Sequence, residues 1–282
     1  MSTNGPADGT GTNDGLRIVA VDGRAVLDTT CAPAGARIVD DFTPTLVDEG
    51  HHHLCPGCGE PIAMRSVLET LEDLDLVGRS IGVFGIGCYT AFSNNLDCEV
   101  AQALHGRAPS VATGIKRARP DTVVFTIQGD GDMVNEGLQE VIHAAARGER
   151  ITCVMLNNGV FGETGGHLTA TTVLGQRTKN SLDGRDAREH GYPIRMAELL
   201  VGLEGVAFVG RCAVNDAGNV ARTRRMLQRA FASQTAEAGF SFVEILTMCP
   251  TGWFVDTLDA PAYLGEQLAG THGLGVLKDV TA

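Results

Sequence analysis

Apolar residues along this 282-residue chain recur with two different periods. The run Thr122 to Gln128 (TVVFTIQ) is short, apolar and β-branched, as a buried strand requires. Leu138, Val141, Ile142 and Ala145 instead return at three- and four-residue intervals, the stripe of an amphipathic helix. Read in this way, the chain gives helices over 60–75, 110–118, 136–147 and 217–235, and strands over 80–86, 122–128, 151–157, 206–211 and 240–247. Strands alternating with helices predict an α/β domain on a doubly wound, mostly parallel sheet. It would occupy residues 44–282 as a single domain without internal repeats.

Residues 1–43 read as a flexible N-terminal extension. The first 15 residues hold four glycines and almost no apolar side chains, and LRIVAVDGRAVLDTT over 16–30 suits a short β-hairpin turning at Asp22-Gly23. Residues 162–200 have few long apolar runs and several turn formers. A stretch of that length inside a compact domain is commonly functional or interfacial, and it is the expected place for substrate discrimination.

Charge and cysteine usage narrow the class. The 22 basic and 34 acidic residues give a net charge of −12. The one basic cluster, Lys116, Arg117 and Arg119, ends a helix, where cations complement the dipole, so nothing points to nucleic acid. No stretch approaches the roughly 18 apolar residues of a membrane helix. The opening MSTNGPADGTGTNDG lacks the apolar core of a signal peptide. A cytoplasmic location follows as the expectation, and there eight cysteines stay reduced and serve metal or catalysis rather than a disulfide framework.

The chemistry concentrates in residues 129–158, GDGDMVNEGLQEVIHAAARGERITCVMLNN. Gly129 and Gly131 open a strand-to-helix turn whose backbone can approach a phosphate closely. Asp130 offers a carboxylate and Asn158 an amide oxygen, hard ligands of the kind that hold Mg²⁺ against a substrate or cofactor phosphate. The intervening helix and strand bring both to one sheet edge, where ligands bind in open parallel sheets. Among the cysteines, Cys55 and Cys58 form a CPGCG knuckle, Cys88 lies in the Gly-rich turn GIGCYT, and Cys249 follows FVEILTM. Four thiolates so distributed suit an iron–sulfur cubane. Structural zinc, which usually takes two CxxC knuckles, and plain buried thiols remain open on spacing alone. Cys31, Cys98, Cys153 and Cys212 read as small hydrophobes or surface residues. His51, His52 and His53, consecutive in an extended segment, read as solvated loop histidines.

Residues 129–158 resemble the thiamine diphosphate motif shared by transketolase-like, decarboxylase-like and 2-oxoacid oxidoreductase enzymes. The resemblance implies Mg²⁺ held by Asp130, Asn158 and the main-chain carbonyl of Val160, with Gly129, Gly131 and Asp132 at the cofactor. From about Pro44 to Phe254, the segments HLCPGCGEPIAMRSVLETL, GIGCYTAF, LHGRAPSVATGIKRARP, GDGD, LNN and VEILTMCPTGW follow in an order similar to the β subunit of the heteromeric 2-oxoacid:ferredoxin oxidoreductases. That likeness implies a [4Fe-4S] cluster on Cys55, Cys58, Cys88 and Cys249 and further cofactor contacts at Gly57, His105 and Gly106. It implies oxidative decarboxylation of a 2-oxoacid, branched-chain or aryl in preference, to an acyl-CoA with electrons passed to ferredoxin. The implied partners are an α-type subunit, with γ and δ (ferredoxin-like) subunits beyond it. The carboxylate at the aminopyrimidine N1′ resembles a contribution of the α-type subunit, so Glu60, Glu136 and Glu163 stay unassigned. The chain departs from the family at Thr164-Gly165-Gly166-His167, where a glutamine is common in the last position. A non-redox thiamine diphosphate-dependent 2-oxoacid decarboxylase subunit is the alternative, which would carry the GDG and Asn-Asn segments without the four-cysteine set.

Overall fold

The structure, a computed structural model, describes residues 18–21, 24–27, 53–94, 96 and 98–281. The chain divides into two compact units, residues 1–42 and 43–282. In the first, β1 (Ile18–Val21) pairs antiparallel with β2 (Arg24–Leu27), with Val21 opposite Arg24. The rest of the expected N-terminal extension, with His51 and His52, lies outside the described residues.

The second unit is a seven-stranded sheet. Six strands run parallel: β3 (Ser80–Phe84), β4 (Glu99–Gln102), β5 (Val123–Gly129), β6 (Thr152–Asn157), β9 (Val206–Ala213) and β10 (Phe240–Leu246). A separate two-stranded ribbon, β7 (Val160–Phe161) with β8 (His167–Leu168), follows β6. The order across the sheet is β4-β3-β5-β6-β10-β9-β11, and β11 (Gly275–Asp279) pairs antiparallel with β9 at the far edge. The mostly parallel sheet read from the alternation is therefore the one observed.

Residue alternation sorts each central strand between two cores. Phe125 and Ile127 of β5, Val154 and Leu156 of β6, and Val243 and Ile245 of β10 join one apolar cluster with α1 (Glu60–Asp73) and α6 (Ala217–Thr235). Their neighbours Val124, Cys153, Met155, Phe240 and Phe242 face the other cluster. That face is covered by α2 (Ala108–Ala118), α3 (Leu138–Ala146) and α5 (Met196–Val201). A two-residue period with both faces apolar is what a strand covered on both sides must show. Phe125 meets Phe231 of α6 edge-on with ring centroids 6.0 Å apart, a geometry contributing about 0.5–1.5 kcal/mol beyond its buried area. A one-turn helix, α4 (Ala187–His190), is capped by Asp186, whose side chain accepts from the Arg188 and Glu189 amides.

Three features differ from the sequence reading. Strands β4 and β11 were not expected, because both are short edge strands with half-buried or exposed side chains and no apolar run to mark them. The helix expected over 136–147 covers Leu138–Ala146 and is preceded by a π-helical turn over Gly131–Glu136. Residues 162–200 are more ordered than a loop, holding β8, α4 and α5.

Candidate functional site

The connections after β3, β5 and β6 meet at an open cleft lined by Glu60, Cys88, Tyr89, His105, Asp130 and Asn158 among others. After β3 the chain runs outward to β4, and it returns to build β5 on the opposite side of β3. Such a reversal opens a crevice at the carboxyl ends of the strands, where ligands bind in open α/β sheets.

Asp130 starts the π-helical turn directly after β5 and is buried. Its Oδ1 accepts the Asn158 amide at 3.4 Å. Its Oδ2 accepts the Thr169 hydroxyl at 2.6 Å and also the Thr171 hydroxyl. Burial pushes this carboxyl up to about 6 against the hydroxyl and amide bonds that favour its charged form. Asn158 follows β6, and its carbonyl accepts Trp253 Nε1 at 2.7 Å, which pins the residue from below the 250–253 turn. Its side-chain Oδ1 accepts the Val160 amide at 3.0 Å. Gly131 is where a close approach matters, since a Cβ there would lie 2.3 Å from the Phe161 ring.

Asp132 anchors the opposite wall. Its Oδ1 pairs with His105 Nδ1 at 2.7 Å and accepts the Gly106 amide at 2.9 Å, while Oδ2 accepts Gln128 Nε2 at 2.6 Å. Gly106 has φ +71°, and a Cβ on it would lie 2.3 Å from the Glu136 carbonyl oxygen. No side chain fits there.

Gly129, Asp130, Gly131, Asp132, His105, Asn158, Val160 and Cys88, all singled out in the sequence, line the cleft. Gly57 instead packs against Thr257 and Pro250, where a Cβ would lie 2.4 Å from the Thr257 methyl. His167 hydrogen-bonds Thr164 Oγ1 through Nδ1 at 2.8 Å.

The cysteines gather beside this cleft. The Cys58 amide donates to the Cys55 carbonyl at 3.0 Å, closing the knuckle. A Cβ at Gly162 would lie 3.4 Å from Cys88 Sγ and 3.5 Å from Cys249 Sγ, so both sulfurs flank that backbone. Burial, followed by Glu60 and the neighbouring Cys249 and Cys55, raises the Cys58 thiol well above its ordinary range. Cys249 is pushed up to about 12, by burial first and then by Glu60 and Cys55. Cys88 is raised in the same way, with Glu60 and Glu163 adding to burial. As free thiols these groups hold their protons, and they ionise only against added positive charge. Among the described residues no three His, Cys, Asp or Glu groups stand close enough to chelate one metal ion. A closed zinc site would need four ligands drawn in to about 2.3 Å of a single centre.

Glu60, weighed in the sequence but left unassigned there, and Tyr89, Thr169 and Thr171, which it gave no role, also matter. Glu60 is buried at the start of α1, its Oε2 has no hydrogen-bond partner, and burial with Asp130 and Glu163 nearby pushes it up to about 8. Tyr89 is buried on the cleft wall with an unpartnered hydroxyl. Thr169 and Thr171 clamp Asp130 from nearly forty residues away. Only their place in a turn-rich stretch hinted at a role.

Residues 85–245 match the C-terminal TPP binding domain of thiamine pyrophosphate enzymes. The chain is 40% identical over 230 residues to the ketoisovalerate oxidoreductase subunit VorA of Methanothermobacter thermautotrophicus, covering 82% of this chain and 48% of that protein. It is 34% identical over 212 residues to the 2-oxoglutarate synthase subunit KorB of Archaeoglobus fulgidus, covering 75% of each. The chain thus spans about half the length of the ketoisovalerate relatives it matches. Its fold superposes with a TM-score of 0.70 on a solved 2-oxoglutarate:ferredoxin oxidoreductase from Magnetococcus marinus with 2-oxoglutarate, coenzyme A and succinyl-CoA bound. The identity is 23%, and 84% of each chain is covered. No helix among the described residues is long and apolar enough to cross a membrane.

Proposed function

This chain belongs to the thiamine pyrophosphate (thiamine diphosphate) enzymes, as a β-type subunit of the 2-oxoacid:ferredoxin oxidoreductases, and from that premise we propose that it binds Mg²⁺–thiamine diphosphate and a [4Fe-4S] cluster for oxidative decarboxylation of a 2-oxoacid to an acyl-CoA. The observation that carries this is the meeting of Asp130 and Asn158 at the ends of adjacent parallel strands, on the wall of an open cleft. Asp130, Asp132 and Glu163 bring acidic groups to that cleft, with no lysine or arginine among the described residues that line it. A diphosphate would be repelled there unless a divalent cation bridged it.

The donor types present are those both groups take, oxygens for the cation and thiols for the cluster, although no three His, Cys, Asp or Glu groups among the described residues already converge on one ion. Asp130, the Asn158 amide oxygen and the Val160 carbonyl form a hard oxygen set for the cation. Cys55, Cys58, Cys88 and Cys249 would hold the cluster, whose positive irons supply the charge these buried thiols need to ionise. When bound, thiamine diphosphate supplies a nucleophilic carbanion and an electron sink, and the cluster takes up electrons singly.

The chain's own side chains contribute position and proton placement. Asp132 fixes the His105 ring against the cleft. Glu60, its carboxyl pushed up to about 8 by burial and then by Asp130 and Glu163, leaves Oε2 without a hydrogen-bond partner on the cleft wall. Thr169 and Thr171 hold Asp130 in one orientation, so that a cation meets a prearranged oxygen. The carboxylate for the aminopyrimidine is assigned to an α-type partner subunit. Coenzyme A, ferredoxin, the further γ and δ subunits and a cytoplasmic location complete the reading, with branched-chain or aryl 2-oxoacids as preferred substrates.

The test is turnover by the assembled complex of a panel of 2-oxoacids with coenzyme A and a viologen acceptor, with and without added Mg²⁺ and thiamine diphosphate. Branched-chain or aryl substrates should give the highest kcat/KM. Acceptor-independent release of CO₂ with an aldehyde product would favour the non-redox decarboxylase instead.

A further inference from the structure

We propose that the buried Arg211–Glu244 pair is a positioning element for the oxygens of Asp130 and Asn158, acting through the side-chain amide of Asn157. The inference rests on the cation and diphosphate reading above. Arg211 of β9 and Glu244 of β10 are opposite one another in register, each side chain is 1% exposed, and Arg211 Nε donates to Glu244 Oε2 at 2.8 Å. Its other donors go to Glu198 of α5 and, at 2.6 Å, to the His272 carbonyl. The guanidinium is thus held on several sides.

The second carboxylate oxygen does something else. Glu244 Oε1 accepts Asn157 Nδ2 at 2.7 Å. A carboxylate only accepts, so it dictates which end of the amide faces it, and Asn157 Oδ1 is turned the other way. There Oδ1 accepts the Gly159 amide at 3.0 Å and lies 3.3 Å from the Thr171 oxygen, whose one proton points mainly to Asp130. Thr171 is one of the two hydroxyls on Asp130 Oδ2, and the Gly159 amide lies between Asn158 and Val160. One buried carboxylate therefore orders both the clamp on Asp130 and the turn that presents Asn158 and Val160.

Stability alone does not account for this pair. Replacing a buried ion pair with apolar side chains of similar volume is often neutral or stabilising. Here the pair ends on an amide adjacent to a proposed ligand, which apolar side chains could not orient. Partners that orient metal ligands commonly change metal affinity by about 10- to 100-fold when removed.

The experiment compares the complex assembled with its partner subunit in unmodified form, with Arg211→Met/Glu244→Leu, with Asn157→Leu, and with all three changes. Mg²⁺–thiamine diphosphate is titrated into each, the thermal midpoint is recorded, and amide exchange at Gly159 is measured without cofactor. The Arg211→Met/Glu244→Leu form should keep or raise its midpoint, bind about tenfold more weakly and exchange faster at Gly159. Adding Asn157→Leu should weaken binding no further, because the three side chains act in series. Glu244→Gln, whose single amide oxygen can accept from Asn157 or from Arg211 but not from both, should give an affinity between the unmodified and the Arg211→Met/Glu244→Leu forms. Unmodified affinity and exchange in the Arg211→Met/Glu244→Leu form would overturn the proposal, as would additive losses that track the midpoint. If the unmodified complex binds no Mg²⁺–thiamine diphosphate, the cofactor reading fails by itself. Gly159 exchange still decides the positioning role, faster exchange supporting it and unchanged exchange overturning it.

Discussion

His105 Nδ1 lies 2.7 Å from Asp132 Oδ1, a carboxylate oxygen that also accepts the Gly106 amide at 2.9 Å. One buried acid thus fixes both a half-exposed imidazole and the turn that carries it. Asp132→Asn keeps the volume but cannot accept from all of these donors, and a hydrogen bond to a charged group contributes about 1.5–3 kcal/mol. Thiamine diphosphate affinity should fall by about 10- to 100-fold in this variant, measured by titration of the assembled complex. Unchanged affinity would separate His105 from cofactor binding.

Asp130→Ala should abolish cofactor retention while leaving the fold intact. The change removes the central oxygen ligand, yet it also removes a carboxylate whose burial is unfavourable. The freed hydroxyls can satisfy one another, since Thr169 Oγ1 already lies 3.0 Å from Thr171 Oγ1. Thiamine diphosphate content and a thermal midpoint within a few degrees of the unmodified protein check both halves. Stoichiometric cofactor in this variant would sink the ligand assignment.

Serine in place of Cys55, Cys58, Cys88 or Cys249 should each remove iron, whereas Cys153→Ser should retain it. Cys153 is buried in the sheet among apolar neighbours, away from the cleft. Iron analysis and visible absorbance of the anaerobically purified variants report the result. Iron lost with Cys153 and kept with Cys249 would show that the fourth ligand is misassigned.

How much of this was legible in the sequence follows from how local each signal is. The strand–helix alternation was plain because β5, β6 and β10 are covered on both faces and read as unbroken apolar runs. Asp130 and Asn158 were legible because a single strand–helix–strand unit joins them. The edge strands β4 and β11 were hidden, since an edge needs no apolar run. Thr169 and Thr171 were illegible in principle, because their clamp on Asp130 exists only after the 162–200 segment folds back over β5. Glu60 was visible in CPGCGE, but its burial and missing partner are properties of packing. The Arg211–Glu244–Asn157 contacts join three strands and leave no motif.

Acid should destabilise the chain through His272. The ring is 5% exposed, neither nitrogen has a partner, and burial holds its pKa below the ordinary 6.5. Arg211 and Arg195 press it the same way, while Glu244 and Glu198 oppose them. The unfolded chain then binds the proton more readily than the folded one, so the His272 contribution to stability falls as pH drops below about 6.5, opposite in sign to the contributions of Glu60 and Asp130, whose raised carboxyls take up protons on folding. His272→Gln, neutral throughout, should make stability rise more steeply, or fall less, as pH drops below about 6.5 in a stability–pH curve obtained by urea unfolding. An identical slope in the variant would assign the acid sensitivity elsewhere.

On this reading one cleft holds thiamine diphosphate beside a four-thiolate cluster. The most direct measurement is iron, acid-labile sulfide, zinc and thiamine diphosphate content per chain in the anaerobically purified complex. About four irons and four sulfides with one Mg²⁺-dependent thiamine diphosphate per chain is the expected result. Zinc without iron, or a complex that takes up no thiamine diphosphate at saturating Mg²⁺, would contradict it.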